Sequence, residues 1–517
     1  MAAVAIVALL LVRHKPTAMP HASRVAVLPF ENTGPDSLAY LVDGLSEALI
    51  TRLTRDAGIA LVPWMTASRY KNTDKSLRDL AVELGVQRLI TGTVRTEGAQ
   101  ISVSIGMVNG TTGLQDWAER VDVVSLQSAD LESDLARRIA EHLGARLTPA
   151  VQQALAKATT RSTEARDWYW KGKAAMDREG PEANASALPC FDRAIALDPA
   201  FADAHVGRGA ALTSRMFHGW MKEDPAQAEA SFHTALRMDS TSVAAYRGLI
   251  HLSWFRGDWE GCLKIGRRVS ILGLDSPEAL FARGEAYCFG GLADRAVPIF
   301  QTIVAADPAN AGGYWLLVLA TSVAGQFDQC VAAGETYAQR FGADLEVELG
   351  MAQSYECLGD TLQARIHYNN VMRTLPASVN NYHYAAVARF LETTGHHARA
   401  VEILQRGLTS LTREDRPGGS HWAMEYYVLL HDYRGFNTWV QHATGGDLAI
   451  ACGYAQLSEM TLAREYLRRA LKHEVEPWSQ SRVCMDSVQF PLMVHEPLWQ
   501  EYIARGVQTR ERALAEY

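Results

Sequence analysis

Few residues in this sequence have the types and spacing that catalysis or metal binding requires. Asp43 and Glu47 stand four residues apart in a helical pattern, which could serve acid–base chemistry, although an exposed helix face of like charge is commoner. His396 and His397 are adjacent and point to different sides of a helix, which favours surface histidines over a metal pair. We predict no catalytic residue, no metal site and no cofactor. A triad assembled in space stays open, because spacing alone does not exclude one.

The cysteines, the known catalytic motifs and the charge lead to the same expectation. The seven cysteines are scattered and never in C-x-x-C spacing, which favours small buried hydrophobes over a zinc site or a disulfide framework. The sequence has no Gly-rich phosphate loop, no HRD or DFG triplet and no VAIK lysine, so it carries no kinase signature. A net charge of −8 without a Lys/Arg stripe predicts that nucleic acid is not a partner.

A second set of residues has the chemistry of recognition, with aromatic rings interleaved among a few charged and polar groups. They occupy positions 2, 5, 9, 12 or 13 of successive sequence repeats and are predicted to line one concave groove: Arg247, His251, Trp254, Phe281, Glu285, Trp315, Gln353 and His383. Such a groove suits a peptide or an extended protein segment, with the rings as anchors. The alternative is that Trp254, Phe281 and Trp315 pack between repeats as core.

The elements that would position these side chains recur every 34 residues from about residue 163. Two columns keep this step, small residues at expected helix crossings and glycines in expected turns. The small residues are Ala228, Cys262, Ala296, Cys330 and Ala364, and the glycines are Gly257, Gly291, Gly325 and Gly359. Small residues permit close approach of helix backbones, and glycine adopts the left-handed turn conformation, so the pattern indicates stacked helical hairpins.

A third, less regular column lies four residues after the small one. Aromatic rings and glycines share it: Phe191, Phe232, Gly266, Phe300, Gly334 and Tyr368. The 34-residue period and these columns resemble the tetratricopeptide repeat. The resemblance implies an all-α solenoid of about seven repeats over residues 160–412, a linker and helix over 413–445, and a degenerate repeat with a C-terminal cap over 446–517.

Residues 24–147 alternate strand-like and helix-like segments and predict a separate α/β domain with a mixed sheet, including a hairpin around Glu97 and Gly98. The segments VAVLPFEN, DGLSEALI and ELGVQRLITGTV occur in this order. They resemble the TolB amino-terminal-like domain of bacterial signalling proteins. In that family the domain commonly follows a transmembrane helix, behind a kinase, an adenylate cyclase or a winged-helix DNA-binding domain.

The first 12 residues form an apolar segment that is too short to span a bilayer alone. The run from Ala2 to Val12 would extend about 16 Å as a helix, against a hydrocarbon core of about 30 Å. We interpret residues 1–12 as the second half of a transmembrane helix, with an interfacial anchor as the alternative, and 13–23 as a tether. The family arrangement implies a periplasmic or other extracytoplasmic location, whereas the basic residues after the run would favour the cytoplasm. We expect the extracytoplasmic arrangement.

These features predict a non-enzymatic, membrane-associated scaffold or sensor that binds a protein or peptide partner in the groove. The alternative is the C-terminal sensory half of a transmembrane serine/threonine kinase or adenylate cyclase, or of a winged-helix regulator, with its effector domain upstream. Self-association of the repeat array is left open.

Overall fold

The structure is a computed structural model and divides the chain into two units, Met1–Ala158 and Thr159–Tyr517. It describes residues 24–97, 100–123, 125, 129–156, 159–178, 181–217, 225–273, 276–374, 382–413, 428–430, 451–452, 455, 459–472 and 496–517. The predicted anchor, its tether and most of the predicted linker over 413–445 lie outside these residues. Within the described ranges, no helix has the length and apolar character needed to cross a membrane.

The first unit contains the predicted mixed sheet. Its strands are β1 (Val25–Val27), β2 (Glu31–Asn32), β3 (Arg88–Glu97), β4 (Gln100–Asn109) and β5 (Gln115–Val123). β1 and β2 pair in parallel with successive parts of β3, while β3, β4 and β5 are antiparallel. The predictions of a mixed sheet and of the β3–β4 hairpin are therefore confirmed.

The described part of the first unit also contains five α-helices, three of which are joined by polar contacts. They are α1 (Ala39–Arg55), α2 (Trp64–Ala67), α3 (Leu77–Leu84), α4 (Ala129–His142) and α5 (Pro149–Ala156). α3 ends at Gly85, whose φ of 62° is the left-handed conformation that glycine adopts readily. The buried Arg52 on α1 lies 4.0 Å from Glu132 on α4 and donates to the backbone oxygen of Leu155 on α5. This arginine therefore joins three helices.

In the described residues, the second unit is built from successive helix pairs. In chain order these are α6 (Thr163–Met176) and α7 (Pro181–Leu197), α8 (Ala202–Phe217) and α9 (Pro225–Met238), α10 (Val243–Phe255) and α11 (Trp259–Ile271), α12 (Pro277–Phe289) and α13 (Ala293–Ala306), α14 (Ala311–Val323) and α15 (Phe327–Phe341), α16 (Leu345–Cys357) and α17 (Thr361–Thr374), α18 (Tyr382–Thr393) and α19 (His397–Arg413). We number these pairs as repeats one to seven.

The two columns that keep the 34-residue step have the predicted structural roles. The five small residues of the first column are fully buried at the helix crossings. Gly257, Gly291, Gly325 and Gly359 have φ values of 70°, 80°, 76° and 81° in the turns between paired helices. Each turn thus uses a backbone conformation that side chains disfavour.

The structure shows why rings and glycines share the third column. Phe232 on α9 packs where Gly209 and Gly248, on the two adjacent first helices, have no side chain. In the next repeat Gly266 occupies the same place on α11, and there the facing residue is Ala286. In repeat five, Gly334 likewise faces a larger residue, Met351. Repeats three and five therefore reverse the partners, with glycine on the second helix and a larger residue opposite it.

The last two described helices, α20 (Met460–Ala470) and α21 (Pro497–Glu516), follow the array in sequence. Glu496, just before α21, pairs with Arg464 of α20 at 3.0 Å, and Arg505 donates to the backbone oxygen of Leu471 at 2.6 Å. The C-terminal half of α21 lies against repeats three and four, in the middle of the array. The prediction of a terminal cap did not include this second contact.

Candidate functional site

An ion pair joins the first helices of repeats three and four. Arg247 on α10 donates from Nε to Glu285 Oε2 at 2.8 Å and from Nη2 to Glu285 Oε1 at 2.7 Å. The Glu285 side chain on α12 is 3% exposed, whereas that of Arg247 is 31% exposed. A bidentate arginine–carboxylate pair of this kind fixes both distance and orientation. It therefore sets how α10 and α12 lie against each other.

Histidine and aromatic side chains surround this ion pair. His251 Nε2 lies 3.3 Å from Glu285 Oε1, one turn along α10 from Arg247. The guanidinium carbon of Arg247 lies 4.9 Å from the ring centre of Phe281, which makes an edge-to-face contact with Phe300 at 5.9 Å. Phe281 thus packs against the core on one side and against the ion pair on the other. The structure shows its packing between repeats, and its role as an anchor for a ligand stays a prediction.

An exposed aromatic stack lies beside the ion pair. Trp254 on α10 stacks on Phe289 of α12 with ring centres 4.8 Å apart and planes 20° from parallel. Phe289 also makes an edge contact with His251 at 5.9 Å. Trp254 is 41% exposed, so part of its surface is available to a ligand. The sequence analysis missed Phe289 as a site residue, although it stands at position 13 of its repeat.

The structure thus brings together five of the predicted residues. We call these five and Phe289 the junction cluster: Arg247, His251, Trp254, Phe281, Glu285 and Phe289. Trp315 lies one repeat further on, at the fifth residue of α14, and is half-buried against core residues. Gln353 lies on α16 and is half-buried as well.

The placement of His383 in the groove needs a correction of register. The turn glycine of repeat seven, Gly395, follows Gly359 by 36 residues and not by 34. His383 is consequently 12 residues before its turn glycine, whereas Arg247, Phe281 and Trp315 are 10 residues before theirs. Ala385 takes the equivalent place in α18. The two additional residues precede α18, where the strict period did not anticipate them. The His383 side chain is outside the described part of the chain.

Other candidates from the sequence have local partners in the structure. Asp43 forms an ion pair with Lys71 at 2.5 Å, and His397 Nδ1 lies 2.7 Å from Glu392 Oε1. In the ranges that the structure describes, no three His, Cys, Asp or Glu side chains are grouped to hold a metal ion.

A buried carboxylate on α16 was not anticipated from the sequence. Glu348 Oε2 lies 2.7 Å from His367 Nδ1 and accepts a hydrogen bond from Asn370 Nδ2 at 3.1 Å. The ring of His367 stacks on Tyr355. Burial would raise the pKa of Glu348, but these hydrogen bonds outweigh it and lower the pKa. Because its partners are internal, this cluster joins α16 to α17 and offers little surface to a ligand.

The electrostatics of the junction cluster keep Glu285 ionised. Burial alone would raise the pKa of this carboxyl, but the charge of Arg247 and hydrogen bonds from Arg247 and His251 lower the pKa to about 2. Burial alone would lower the pKa of Arg247, but the charge of Glu285 and its hydrogen bonds outweigh burial and raise this pKa. The pair is therefore fully charged at neutral pH.

The low pKa of Glu285 predicts a loss of stability in acid. The carboxyl titrates near its ordinary value of about 4.3 in the unfolded chain and at about 2 in the folded one. Its contribution is therefore complete above about pH 5 and disappears as the pH falls toward 2, because the unfolded state takes up the proton first. We expect α10 and α12 to open more readily in Glu285→Gln than in the unmodified protein at pH 7, and the two opening free energies to converge near pH 2. Native-state hydrogen exchange of α10 and α12, compared between the two proteins at each pH, measures the difference, and a constant gap would contradict the assignment.

Comparisons with known proteins bear on both units. Residues 21–141 match a family described as HilA/YgeH-like transcriptional regulator, second domain. The match covers the sheet and its helices up to α4, and less than half of the chain. The likeness of residues 24–147 to the TolB amino-terminal-like domain stays a prediction.

The chain is also similar to a longer curated protein and to solved repeat structures. It is 26% identical over 246 residues to "Putative adenylate cyclase 3" of Rhizobium meliloti (strain 1021), which covers 47% of this chain and only 42% of that relative. A tetratricopeptide repeat protein from Parabacteroides merdae ATCC 43184 is 15% identical, covering 48% of this chain and 94% of that one, with a TM-score of 0.37. The human IFIT1 dimer with PPP-AAAA is 13% identical, covering 66% of this chain and 78% of that one, with a TM-score of 0.42.

Proposed function

We propose that the second unit binds an extended segment of a partner protein across the junction cluster. The observation that carries this proposal is the Trp254–Phe289 stack, an exposed aromatic surface supported by a buried ion pair. Aromatic side chains on a rigid support are the commonest anchors of protein interfaces, since they bury large areas with little loss of conformational freedom. The proposed role of this cluster is binding without chemistry.

The charges at the junction narrow the kind of segment that fits. Arg247 already makes two hydrogen bonds to Glu285, so its charge is neutralised within the site. An acidic side chain of the partner therefore gains little there. An apolar or aromatic side chain can instead cover the outer surface of Trp254, with His251 at its edge as a polar contact. The partner is expected to present a hydrophobic anchor in an extended backbone.

Replacing Trp254 by alanine tests this function. Loss of a central aromatic anchor typically weakens binding by about 2 kcal/mol or more, roughly thirtyfold. The ligand is to be found by photo-crosslinking from position 255 of the full chain in an extract of the source cells, followed by identification of the crosslinked peptide. Its affinity is then measured by calorimetry for the unmodified protein, Trp254→Ala and Ile271→Ala. Ile271 is an exposed apolar residue of the same repeat, and that variant is expected to bind normally. Unchanged affinity of Trp254→Ala would remove the junction cluster from the binding site.

A second proposal concerns the setting in which this binding is used. We infer that the chain acts as the sensory part of a larger regulator, whose effector is a winged-helix, cyclase or kinase domain. The match to a regulator's second domain and the similarity to part of a protein named as a cyclase support it. Attachment to a membrane through residues 1–12, an extracytoplasmic location and a TolB-like first domain belong to the same proposal. The genomic sequence upstream of Met1 tests it: an in-frame effector domain supports the regulator, and an immediate in-frame stop codon contradicts it.

A further inference from the structure

The C-terminal half of α21 packs against the second helices of repeats three and four. Ala513 of α21 is buried between Leu263 of α11 and Leu292, which directly precedes α13. Arg510, one turn earlier on α21, donates to Asp294 at 2.7 Å. These contacts join residues more than 200 positions apart in the chain, and they involve both repeats at once.

Two arginines of the array receive the end of this helix. The last carbonyl groups of any α-helix have no partner within the helix and carry partial negative charge. Here Arg295 on α13 donates to the backbone oxygen of Leu514 at 2.6 Å, and Arg267 on α11 lies 3.4 Å from that of Glu516. Apolar packing along the helix and cationic partners at its end make this surface specific for a helix C-terminus.

The surface that receives α21, which we call the seat of α21, is formed by Leu263, Arg267, Leu292, Asp294 and Arg295. This surface and the junction cluster lie on the same pair of repeats. α11 and α13, which hold α21, are the second helices of repeats three and four, and α10 and α12 of the same repeats carry the cluster. On α12, Tyr287 packs against the seat of α21. Its neighbours Glu285 and Phe289 belong to the cluster. One inter-repeat junction is therefore bridged twice, once by the cluster and once by the C-terminal helix.

We propose that α21 is a clamp that sets the angle between repeats three and four and thereby positions the junction cluster for binding. In a repeat array each repeat is held mainly by its neighbours, so the angle at one junction depends on the contacts across it. α21 adds a third element that touches both repeats. Release of the helix loosens the ion pair and the Trp254–Phe289 stack without removing any of their residues. The ligand-binding consequence rests on the function proposed above.

A charge placed at the centre of the clamp tests this role in the full chain. Ala513→Glu puts a carboxylate between Leu263 and Leu292, where burial without a partner is strongly unfavourable. The matched control is Ala515→Glu, because Ala515 is exposed on the same helix. Hydrogen–deuterium exchange is measured without any ligand. In Ala513→Glu we expect exchange in 497–516 to accelerate, and exchange in α10 and α12 to accelerate by about tenfold or more. The control is expected to exchange as the unmodified protein does.

Each outcome decides the proposal. Faster exchange of α21 with unchanged exchange of α10 and α12 would show a helix that is docked but positions nothing. Unchanged exchange of α21 itself would show that the Ala513 contact does not hold the helix. General acceleration in all helices of the second unit would indicate global unfolding. In that case the charge reversal Arg510→Asp decides: the clamp predicts local acceleration in α10 and α12 and its reversal by Asp294→Arg in the double variant. Since no ligand is used, failure of the clamp is distinguishable from failure of the proposed function.

Discussion

Replacing Arg247 by alanine is expected to destabilise the junction between repeats three and four by about 3–5 kcal/mol. The substitution leaves Glu285, with 3% of its side chain exposed, as a buried anion beside a histidine that is 40% exposed. The converse change, Glu285→Ala, is expected to be milder. It leaves a guanidinium that is 31% exposed and that water can partly solvate. Removing Arg247 is therefore expected to cost more stability than removing Glu285, because the residue that is left without its partner is more deeply buried in the first case.

The measurement must be local, because unfolding of a long repeat array need not be a single two-state step. Native-state hydrogen exchange of α10 and α12 reports the opening free energy of this junction.

The double variant Arg247→Met with Glu285→Leu is expected to recover most of the loss of stability, since an apolar pair can replace a buried ion pair. A control is Arg256→Ala, which removes a surface pair with Glu229 in which both side chains are 37% exposed. That pair should contribute only about 0–1 kcal/mol. Equal losses for Arg247→Ala and Arg256→Ala would contradict the assignment.

Replacing Phe232 by alanine is expected to destabilise repeats two and three by about 3–5 kcal/mol. The ring is buried against Gly209 and Gly248, which have no side chains to move into the space it leaves. The cavity therefore stays open, and its cost is added to the lost burial of the ring. Native-state exchange of α8, α9 and α10 measures the effect.

Met238→Ala is the matched control for this substitution. Met238 ends the same helix and is substantially exposed, so its truncation should change the stability by about 0.5 kcal/mol or less. A loss at Phe232 no greater than at Met238 would show that the repeats can close around the missing ring.

Much of this architecture could be predicted because the steric contacts of a repeat array recur at a fixed interval along the sequence. The small residues permit close approach of two helices and the glycines permit the left-handed turn. Both requirements are local, so both appear in the sequence as periodic columns. The period also accounts for the ion pair, which the sequence analysis did not predict, since Arg247 and Glu285 are 38 residues apart, one repeat and about one helical turn. His251 and Glu285 are 34 residues apart and so occupy equivalent places in neighbouring repeats.

The remaining features lacked such a signal. A two-residue shift before α18 displaced His383 from the groove positions, because a strict period cannot reveal an insertion between helices. Phe289 was overlooked because position 13 also serves packing between repeats, and the stack with Trp254 is visible only in space. The contact of Ala513 with Leu263 and Leu292 joins distant parts of the chain once, and a contact that occurs once leaves no periodic pattern.

The partners of the rings limit how the gene for such an array can grow or shrink. Repeats one and two both carry a ring, and glycines on the flanking first helices receive each of them. A hairpin with a ring that was copied next to a first helix carrying a larger residue, such as Met351, would instead bring ring against side chain. An array with this interior can therefore lengthen by single hairpins only where the neighbouring first helix carries glycine at the receiving position.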